Sequence, residues 1–225
     1  MIGIIVFPGT NCEFDVQGAY RELGRDTTIV AHHERDLDDY EAVVIPGGFS
    51  YGDYLRTGAI ARFSPIMESV IRYAGAGGKV LGICNGFQVL TEAGLLPGAL
   101  QRNVGLSFIC GEVTVRVEQT NSILTCGMTV GEELSLPINH FEGNYTADAD
   151  TLERLETQGQ VVLRYVQNPN GSANDIAGIA NVEGNVVGLM PHPERAGLGF
   201  GLTDQAKAML ESLLMPRGSR ATQSA

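Results

Sequence analysis

A cysteine between two glycines, at the point where an apolar run meets a helical segment, limits the possible folds of this chain more than any other feature. The segment reads Gly82-Ile83-Cys84-Asn85-Gly86, follows the apolar run 79–81 and precedes the helical segment 87–93. Gly-x-Cys-x-Gly at a strand-to-helix junction is the thiol form of the nucleophile elbow, whose small flanking residues allow a sharp turn that brings the central side chain into the open. A helix that begins after Cys84 would direct N–H groups at the sulfur and favour the reactive thiolate. A buried structural cysteine explains the motif equally well unless a base lies elsewhere.

The first half of the chain alternates apolar strands with amphipathic helices. The pattern predicts strands at 2–7, 27–31, 42–45 and 80–83, and helices at 13–23, 60–73 and 87–94. Such alternation indicates βαβ units, and therefore an α/β fold with a mostly parallel central sheet flanked by helices. In these folds ligands bind at the carboxyl ends of the strands, where Cys84 and the pair Gly47-Gly48 fall.

The second half has a different character and predicts extra antiparallel strands. Strand-like segments occur at 112–117, 133–139, 161–167, 176–182 and 186–190, and the last two are separated by a short turn that is typical of a hairpin. A closing helix is expected at 204–214, with Thr203 as its N-cap. We expect one domain over residues 1–215 and a disordered polar tail over 216–225.

A histidine and a glutamate near the C-terminus supply the missing base and its partner. The chain reads Met190-Pro191-His192-Pro193-Glu194-Arg195, and residues two apart in extended chain point to the same side. The two prolines restrict the backbone on either side of His192. The carboxylate of Glu194 can then hold one ring nitrogen and leave the other as a proton acceptor. Alone, the two residues could be a surface pair; with Cys84 they predict a Cys-His-Glu triad.

Paired glycines after the third predicted strand predict an oxyanion site. The apolar run 42–45 leads into Pro46-Gly47-Gly48, where bare backbone can approach a ligand closely. The N–H groups of this loop, together with the N–H of Asn85 next to the nucleophile, could stabilise a developing negative charge. The alternative is an ordinary glycine turn, so the prediction depends on the three motifs occurring together. Together they predict an enzyme that acylates a cysteine.

Composition excludes several classes of partner and cofactor. The net charge is −11 and the sequence pI is near 4.7, whereas nucleic acids and anionic membranes require a basic surface. The N-terminal sequence is typical of a first core strand and not of a signal peptide, so we expect a cytoplasmic protein. Four cysteines without CxxC spacing predict free thiols and no metal site. The segment 75–79 lacks the hydroxyl residue of a phosphate-binding loop, so this chain is not expected to bind ATP itself. No cofactor is expected in this chain.

The three motifs resemble the class I glutamine amidotransferases, and among them the stand-alone glutaminase subunits of phosphoribosylformylglycinamidine synthase, an enzyme of purine biosynthesis. The segments that carry the resemblance are Pro8-Gly9-Thr10-Asn11-Cys12-Glu13, Pro46-Gly47-Gly48-Phe49-Ser50-Tyr51-Gly52-Asp53-Tyr54-Leu55-Arg56, Gly82-Ile83-Cys84-Asn85-Gly86-Phe87-Gln88, Leu96-Pro97-Gly98-Ala99-Leu100, Asn139-His140-Phe141-Glu142-Gly143-Asn144-Tyr145 and Met190-Pro191-His192-Pro193-Glu194-Arg195. The triad alone indicates the broad class. The segments around Tyr51 and Gly143 indicate the narrower group.

The resemblance implies a flavodoxin-like fold and a set of site residues. The implied roles are catalytic for Cys84, His192 and Glu194, oxyanion-binding through the backbone for Gly48 and Asn85, and glutamine-binding for Gly47, Phe49, Ser50, Gln88, His140 and Phe141. Phe141 departs from the family, where glycine is expected. His140 competes for the role of base, but bulky Phe141 separates it from Glu142, so the resemblance favours His192.

The resemblance also implies a reaction and partners. Cys84 would attack the side-chain amide of glutamine, release ammonia and form a glutamyl thioester that water hydrolyses. The ammonia would pass to a large synthetase subunit, which binds ATP and Mg²⁺ and converts formylglycinamide ribonucleotide to formylglycinamidine ribonucleotide. A small accessory subunit completes the implied enzyme.

Other functions remain open from the sequence. A subunit of another class I amidotransferase and a γ-glutamyl hydrolase would share the same thioester chemistry. The PfpI-like cysteine proteins typically have histidine directly after the elbow cysteine, where this chain has Asn85. A catalytically silent regulatory module would have no need of the triad.

Overall fold

One nine-stranded sheet organises the chain in the computed structural model, which describes residues 1–197 and 201–216. In chain order the strands and helices are β1 (Ile2–Val6), α1 (Glu13–Glu22), β2 (Thr27–Ala31), β3 (Ala42–Ile45), α2 (Pro65–Gly75), β4 (Lys79–Ile83), α3 (Asn85–Glu92), β5 (Ala99–Gln101), β6 (Ile109–Val117), β7 (Glu133–His140), β8 (Asn144–Thr146), α4 (Ala149–Thr157), β9 (Val161–Tyr165), β10 (Ile176–Ala180), β11 (Val186–Leu189) and α5 (Asp204–Ser212).

The sheet has a parallel half and an antiparallel half. Its strand order is β2-β1-β3-β4-β11-β10-β9-β6-β7, and the first five strands are parallel to one another. From β11 onward each neighbour is antiparallel, beginning with the predicted hairpin β10–β11. Strands β5 and β8 form a separate two-stranded ribbon. The predicted α/β fold, with a mostly parallel sheet and extra antiparallel strands in the second half, is confirmed.

The parallel strands are continuous apolar runs because helices cover both of their faces. All four residues of β3 and all four of β11 are buried, and β4 is buried from Val80 onward. Helix α2 packs Ile66, Met67 and Val70 into this core. Strands β3, β4 and β11 are adjacent and parallel, so the segments that follow them meet at one edge of the sheet.

Helices α2 and α4 differ from the elements that the sequence predicts. Helix α2 begins at Pro65 and not at residue 60, because proline is favourable at the first helical position and Ser64 before it is extended. The segment Ala61–Phe63 forms a short 3₁₀ turn instead. Helix α4 is not predicted, because its sequence is mostly polar. Its N-cap, Asp148, accepts a hydrogen bond of 2.7 Å from the N–H of Thr151.

The C-terminal region agrees with the prediction where it is described. Helix α5 has the predicted N-cap, Thr203, whose side chain accepts a hydrogen bond from the N–H of Ala206. The predicted disorder of the tail falls almost entirely on residues 217–225, which lie outside the described residues. Among residues 1–197 and 201–216, no helix has both the length and the apolar character needed to cross a membrane.

Candidate active site

The elbow at the end of β4 is a strained turn that only small neighbours permit. Cys84 has φ 51° and ψ −106°, a conformation that is uncommon for a residue with a side chain. A Cβ added to Gly86 would lie 1.9 Å from the carbonyl oxygen of Ile45, and one added to Gly82 would lie 2.6 Å from Leu90 Cδ1. The glycines therefore let β4 and α3 pack closely while the backbone turns at Cys84.

This packing gives a first prediction, on stability. Gly86→Ala should lower the free energy of unfolding by about 1–3 kcal/mol, the usual effect of overpacking a core, and lower the melting temperature by several degrees. Gly75→Ala is the matched control, because it also lies in a helix and no atom comes within 4 Å of its added Cβ. Thermal unfolding of both variants measures the difference. Equal melting temperatures for Gly86→Ala and the wild type would contradict the close packing.

Cys84 is less accessible than the elbow motif predicts. The residue is 6% exposed. The thiol donates a long hydrogen bond of 3.9 Å to the carbonyl oxygen of Asn139. Helix α3 begins at Asn85, so its unpaired N-terminal N–H groups lie beside the cysteine as predicted.

His192 and Glu194 form a buried pair beside Cys84. Nδ1 of His192 lies 2.6 Å from Oε1 of Glu194, and the two side chains are 1% and 0% exposed. The backbone N–H of His192 donates to the carbonyl oxygen of Pro137, which fixes the loop against β7. Nε2 makes no hydrogen bond of good geometry to a described residue, but the ring interacts with the side chain of Cys84. The ring is thus held at one nitrogen and has the other available for chemistry.

The charges around His192 favour its protonated form. Burial alone lowers the pKa of the imidazole, but the opposite charges of Glu194 and then of Cys84 outweigh burial and raise the pKa to about 10. His192 is therefore a proton donor that Glu194 holds next to the sulfur of Cys84. This arrangement is suited to a nucleophilic thiolate with a neighbouring proton donor.

The glycine loop after β3 lies against both His192 and Cys84. A Cβ added to Gly47 would lie 2.8 Å from Cε1 of His192 and 3.5 Å from Cβ of Cys84. Gly48 has φ 144°, and a Cβ there would lie 2.7 Å from the N–H nitrogen of Asn11. The N–H of Gly48 makes no backbone hydrogen bond to any described residue. The loop therefore brings an available N–H to the side of the sheet where Asn85 also has one.

A small cavity of about 160 Å³ opens onto Cys84. The residues that line it are Gly48, Phe49, Asp53, Thr57, Cys84, Gln88, Asn139, His140, Phe141 and Glu142. Of the residues predicted to bind substrate, Phe49, Gln88, His140 and Phe141 lie on its wall, whereas Gly47 and Ser50 do not. Ser50 is instead buried behind the wall, where its N–H donates to Oδ1 of Asn85.

Sequence reasoning did not single out four residues of this wall: Asp53, Thr57, Asn139 and Glu142. Asp53 and Glu142 are charged residues inside segments that carry the family resemblance. These two properties could have identified them as site residues from the sequence. Thr57 has no such signal, because only the fold brings its hydroxyl to Glu142, to which it donates a hydrogen bond of 2.8 Å. Across residues 1–197 and 201–216, no three His, Cys, Asp or Glu side chains are grouped in a way that could hold a metal ion.

His140 has different surroundings from those of His192. Its Nδ1 lies 3.1 Å from Oδ1 of Asn103, a neutral amide, and no carboxylate holds the ring. Burial, and then the charge of His192, lower the pKa of His140 to about 4. A neutral imidazole without a carboxylate partner is poorly placed to be the base of a triad. The geometry therefore favours His192, as the sequence did.

Phe141, the departure from the family pattern, forms part of the cavity wall. The guanidinium carbon of Arg102 lies 5.8 Å from the centre of its ring. Its carbonyl oxygen accepts a hydrogen bond of 2.9 Å from the N–H of Asn103. The ring therefore lies near Arg102, and the backbone at Phe141 is hydrogen-bonded.

Comparison with known proteins identifies the family. The sequence model of the CobB/CobQ-like glutamine amidotransferase domain matches residues 1–209. The chain belongs to the glutamine amidotransferases. The amidotransferase is 58% identical over 194 residues to phosphoribosylformylglycinamidine synthase subunit PurQ of Lacticaseibacillus paracasei. The aligned residues are 86% of this chain and 85% of the relative. It is 55% identical over 216 residues to the subunit of the same name from Synechococcus elongatus, and the aligned residues are 96% of this chain and 98% of that relative.

Solved structures agree with this assignment. The amidotransferase superposes on a chain in the structure of PurLQS from Thermotoga maritima with a TM-score of 0.86 and 42% identity, covering 95% of this chain and 96% of that one. It also matches a glutamine amidotransferase from Thermotoga maritima with a TM-score of 0.56 at 17% identity, covering 86% of this chain and 75% of that one, which shows a shared fold. The resemblance in the sequence motifs is confirmed, and it extends over nearly the whole chain.

Proposed function

We propose that this chain is the glutaminase subunit of phosphoribosylformylglycinamidine synthase and that it hydrolyses glutamine through a thioester on Cys84. The main support for the proposal is that three features lie at one edge of the sheet. They are the strained turn at Cys84, the buried His192–Glu194 pair and a glycine loop with an available N–H. The similarity to PurQ subunits supports the choice of this enzyme over other amidotransferases and over a γ-glutamyl hydrolase.

The reaction follows from these positions. The Cys84 thiolate attacks the side-chain amide carbon of glutamine, and the N–H groups of Gly48 and Asn85 stabilise the negative charge on the amide oxygen. The proton held by His192 goes to the leaving ammonia, and Cys84 remains as a glutamyl thioester. His192 then takes a proton from the attacking water, and breaking of the carbon–sulfur bond releases glutamate and restores the Cys84 thiolate beside the protonated ring. Glu194 holds the ring and its charge throughout.

The remaining predicted roles belong to the same proposal. Glutamine binds in the cavity beside Cys84, with Phe49, Gln88, His140 and Phe141 on its wall, while Gly47 and Ser50 shape the wall from behind. The domain extends over residues 1–215. The ammonia passes to a large synthetase subunit that binds ATP and Mg²⁺, together with a small accessory subunit, in the cytoplasm. Relatives named as subunits, and a solved PurLQS structure, support such a complex.

Selective labelling of the cysteines tests the proposed nucleophile. A glutamine analogue with an electrophilic carbon in place of the side-chain amide should modify Cys84 and abolish ammonia release, with protection by glutamine. Cys12 is the informative comparison, because it is also buried nearby but burial raises the pKa of its thiol to about 12. Mass spectrometry of the labelled peptides gives the site. Loss of activity with the label on Cys12, Cys110 or Cys126 and none on Cys84 would overturn the assignment.

A further inference from the structure

The carboxylate of the triad is held by one hydrogen bond of its own. Oε1 of Glu194 lies 2.6 Å from Nδ1 of His192, whereas Oε2 makes no hydrogen bond to a described residue, although the side chain is fully buried. A single hydrogen bond at one oxygen does not fix the place of a carboxylate. The position of Glu194 must therefore come from its backbone and from the contacts that hold this backbone.

The backbone at Glu194 is a short 3₁₀ turn, Pro193–Arg195, that strand β7 holds at its start. The N–H of His192 donates a hydrogen bond of 2.8 Å to the carbonyl oxygen of Pro137, and the N–H of Arg195 donates one of 3.1 Å to the carbonyl oxygen of His192. A turn of three residues has too few internal hydrogen bonds to be rigid alone. The contact at its far end therefore contributes to where Glu194 lies.

An ion pair with helix α1 holds the far end of this turn. Nε and Nη2 of Arg195 donate hydrogen bonds of 2.9 Å and 2.7 Å to Oδ2 of Asp15, which lies 180 positions earlier in the sequence. Two charge-assisted hydrogen bonds fix the orientation of a guanidinium better than one does. The residue next to Glu194 is thus anchored on a helix that packs against the sheet.

Arg195 lies near the carboxylate of Glu194 but forms its hydrogen bonds with Asp15. Burial lowers the pKa of the Arg195 guanidinium, but the hydrogen bonds with Asp15 and, to a smaller extent, the charge of Glu194 raise it. The guanidinium therefore does not compete with His192 for the carboxylate. Asp15 and Arg195 line a cavity of about 520 Å³, and among the described residues this cavity shares no lining residue with the glutamine cavity. The ion pair can thus affect the triad without contacting the substrate.

We propose that Asp15 and Arg195 are positioning residues, whose ion pair fixes the turn Pro193–Arg195 and so keeps the carboxylate of Glu194 against His192. The inference rests on the proposed function, because it concerns the rate of the thioester reaction at Cys84. A partly exposed ion pair contributes little to the free energy of unfolding. Loss of this pair should therefore slow catalysis far more than it lowers stability.

The test measures ammonia release from glutamine by variants of the chain, assembled with the synthetase and accessory subunits of the same organism. Asp15→Ala and Arg195→Met should each lower kcat at least about fivefold, because a small displacement of a catalytic group slows a reaction strongly. KM should change by less than about twofold, because the pair lies outside the glutamine cavity. The maximal rate at which the electrophilic glutamine analogue labels Cys84 should also fall. This rate reports the attack by the sulfur even if a later step limits kcat.

Three comparisons separate positioning from general damage. Lys207→Met is the matched control and should keep the wild-type kcat: it breaks the ion pair of Lys207 with Glu22 of α1, which is 37% and 36% exposed, against 29% and 41% for Arg195 and Asp15. Arg195→Lys keeps a cation that can reach Asp15, so its kcat should return to within about twofold of the wild type. The double variant Asp15→Ala/Arg195→Met should be no slower than the slower single variant, because both changes remove the same contact.

The outcomes also separate this inference from the proposed function. If the wild-type complex releases no ammonia from glutamine, the proposed function fails. If it does release ammonia, only the positioning role is overturned when Asp15→Ala or Arg195→Met keeps both wild-type rates, when the two effects multiply in the double variant, or when a raised KM and a large fall in melting temperature show general damage. Slower reaction in both single variants, with KM unchanged and recovery in Arg195→Lys, supports the role.

Discussion

Replacing Cys84 with serine should abolish glutamine-dependent formation of formylglycinamidine ribonucleotide and leave ammonia-dependent formation intact. The substitution removes the sulfur nucleophile with little change in volume, and serine in a glutaminase elbow is a far weaker nucleophile at neutral pH than a thiolate. The chain supplies only ammonia under the proposed function, so an ammonium salt at mildly alkaline pH should replace it. The measurement is product formation by the reconstituted complex with glutamine or with ammonium chloride.

Assembly must be checked beside this assay, because a lost interface would look like a lost nucleophile. Size-exclusion chromatography should show the same complex for Cys84→Ser as for the wild type. Cys110→Ser is the matched control, because Cys110 is an exposed cysteine outside the cavity and its replacement should leave both activities unchanged. If ammonium chloride does not restore synthesis by an intact Cys84→Ser complex, this chain acts directly in the synthetase step and the proposed role is wrong.

Much of the fold can be predicted from the sequence because the parallel half has simple periodicity. Strands such as β3 and β11 are short apolar runs that are buried on both faces, and each is followed by a glycine or proline turn. Helix α4 escapes prediction because its stability comes from the Asp148 cap and from packing of Leu155, which local hydrophobicity does not show. The three-residue strands β5 and β8 are too short to have a pattern of their own, and they form by pairing with each other.

The candidate site also has residues that the sequence predicts and residues that it does not. Motif spacing brought out Cys84, His192 and Glu194, because each stands in a turn with restricted backbone, and the fold brings them to adjacent strand ends. The residues of the cavity wall were harder to predict from the sequence. Thr57 and Glu142, for example, are 85 positions apart and come into contact only in the folded chain. The burial of Cys84 was also not visible, since the β7 carbonyl that contacts its sulfur, that of Asn139, is 55 positions away in the sequence. The catalytic and binding roles of all these residues stay predictions.

The close contacts around the elbow explain why the site tolerates its strain. Cys84 holds a positive φ, and the neighbouring backbone is fixed by the approach of Gly86 to Ile45 and of Gly47 to His192. A conformation that costs about 1–3 kcal/mol persists only where surrounding structure determines it. The glycines that allow the turn at Cys84 are therefore also the ones that allow close packing at this edge of the sheet.

His192→Ala should lower glutamine hydrolysis by at least about 10²-fold, the usual contribution of a positioned proton carrier. The imidazole is the group beside Cys84 that holds a proton, and Glu194 raises its pKa against the effect of burial. Glu194→Gln keeps the size and a hydrogen-bonding oxygen but removes the charge, so it should lower kcat less than His192→Ala, because glutamate orients the ring and does not itself transfer the proton.

Ammonia release at saturating glutamine gives kcat for each variant, and His33→Ala is the control because that ring is exposed and outside the cavity. His140→Ala provides the decisive comparison. It should act mainly on KM, because the neutral ring of His140 lines the glutamine cavity and has no carboxylate to hold it as a base. If His140→Ala eliminates kcat while His192→Ala leaves it nearly unchanged, the roles of the two histidines are reversed.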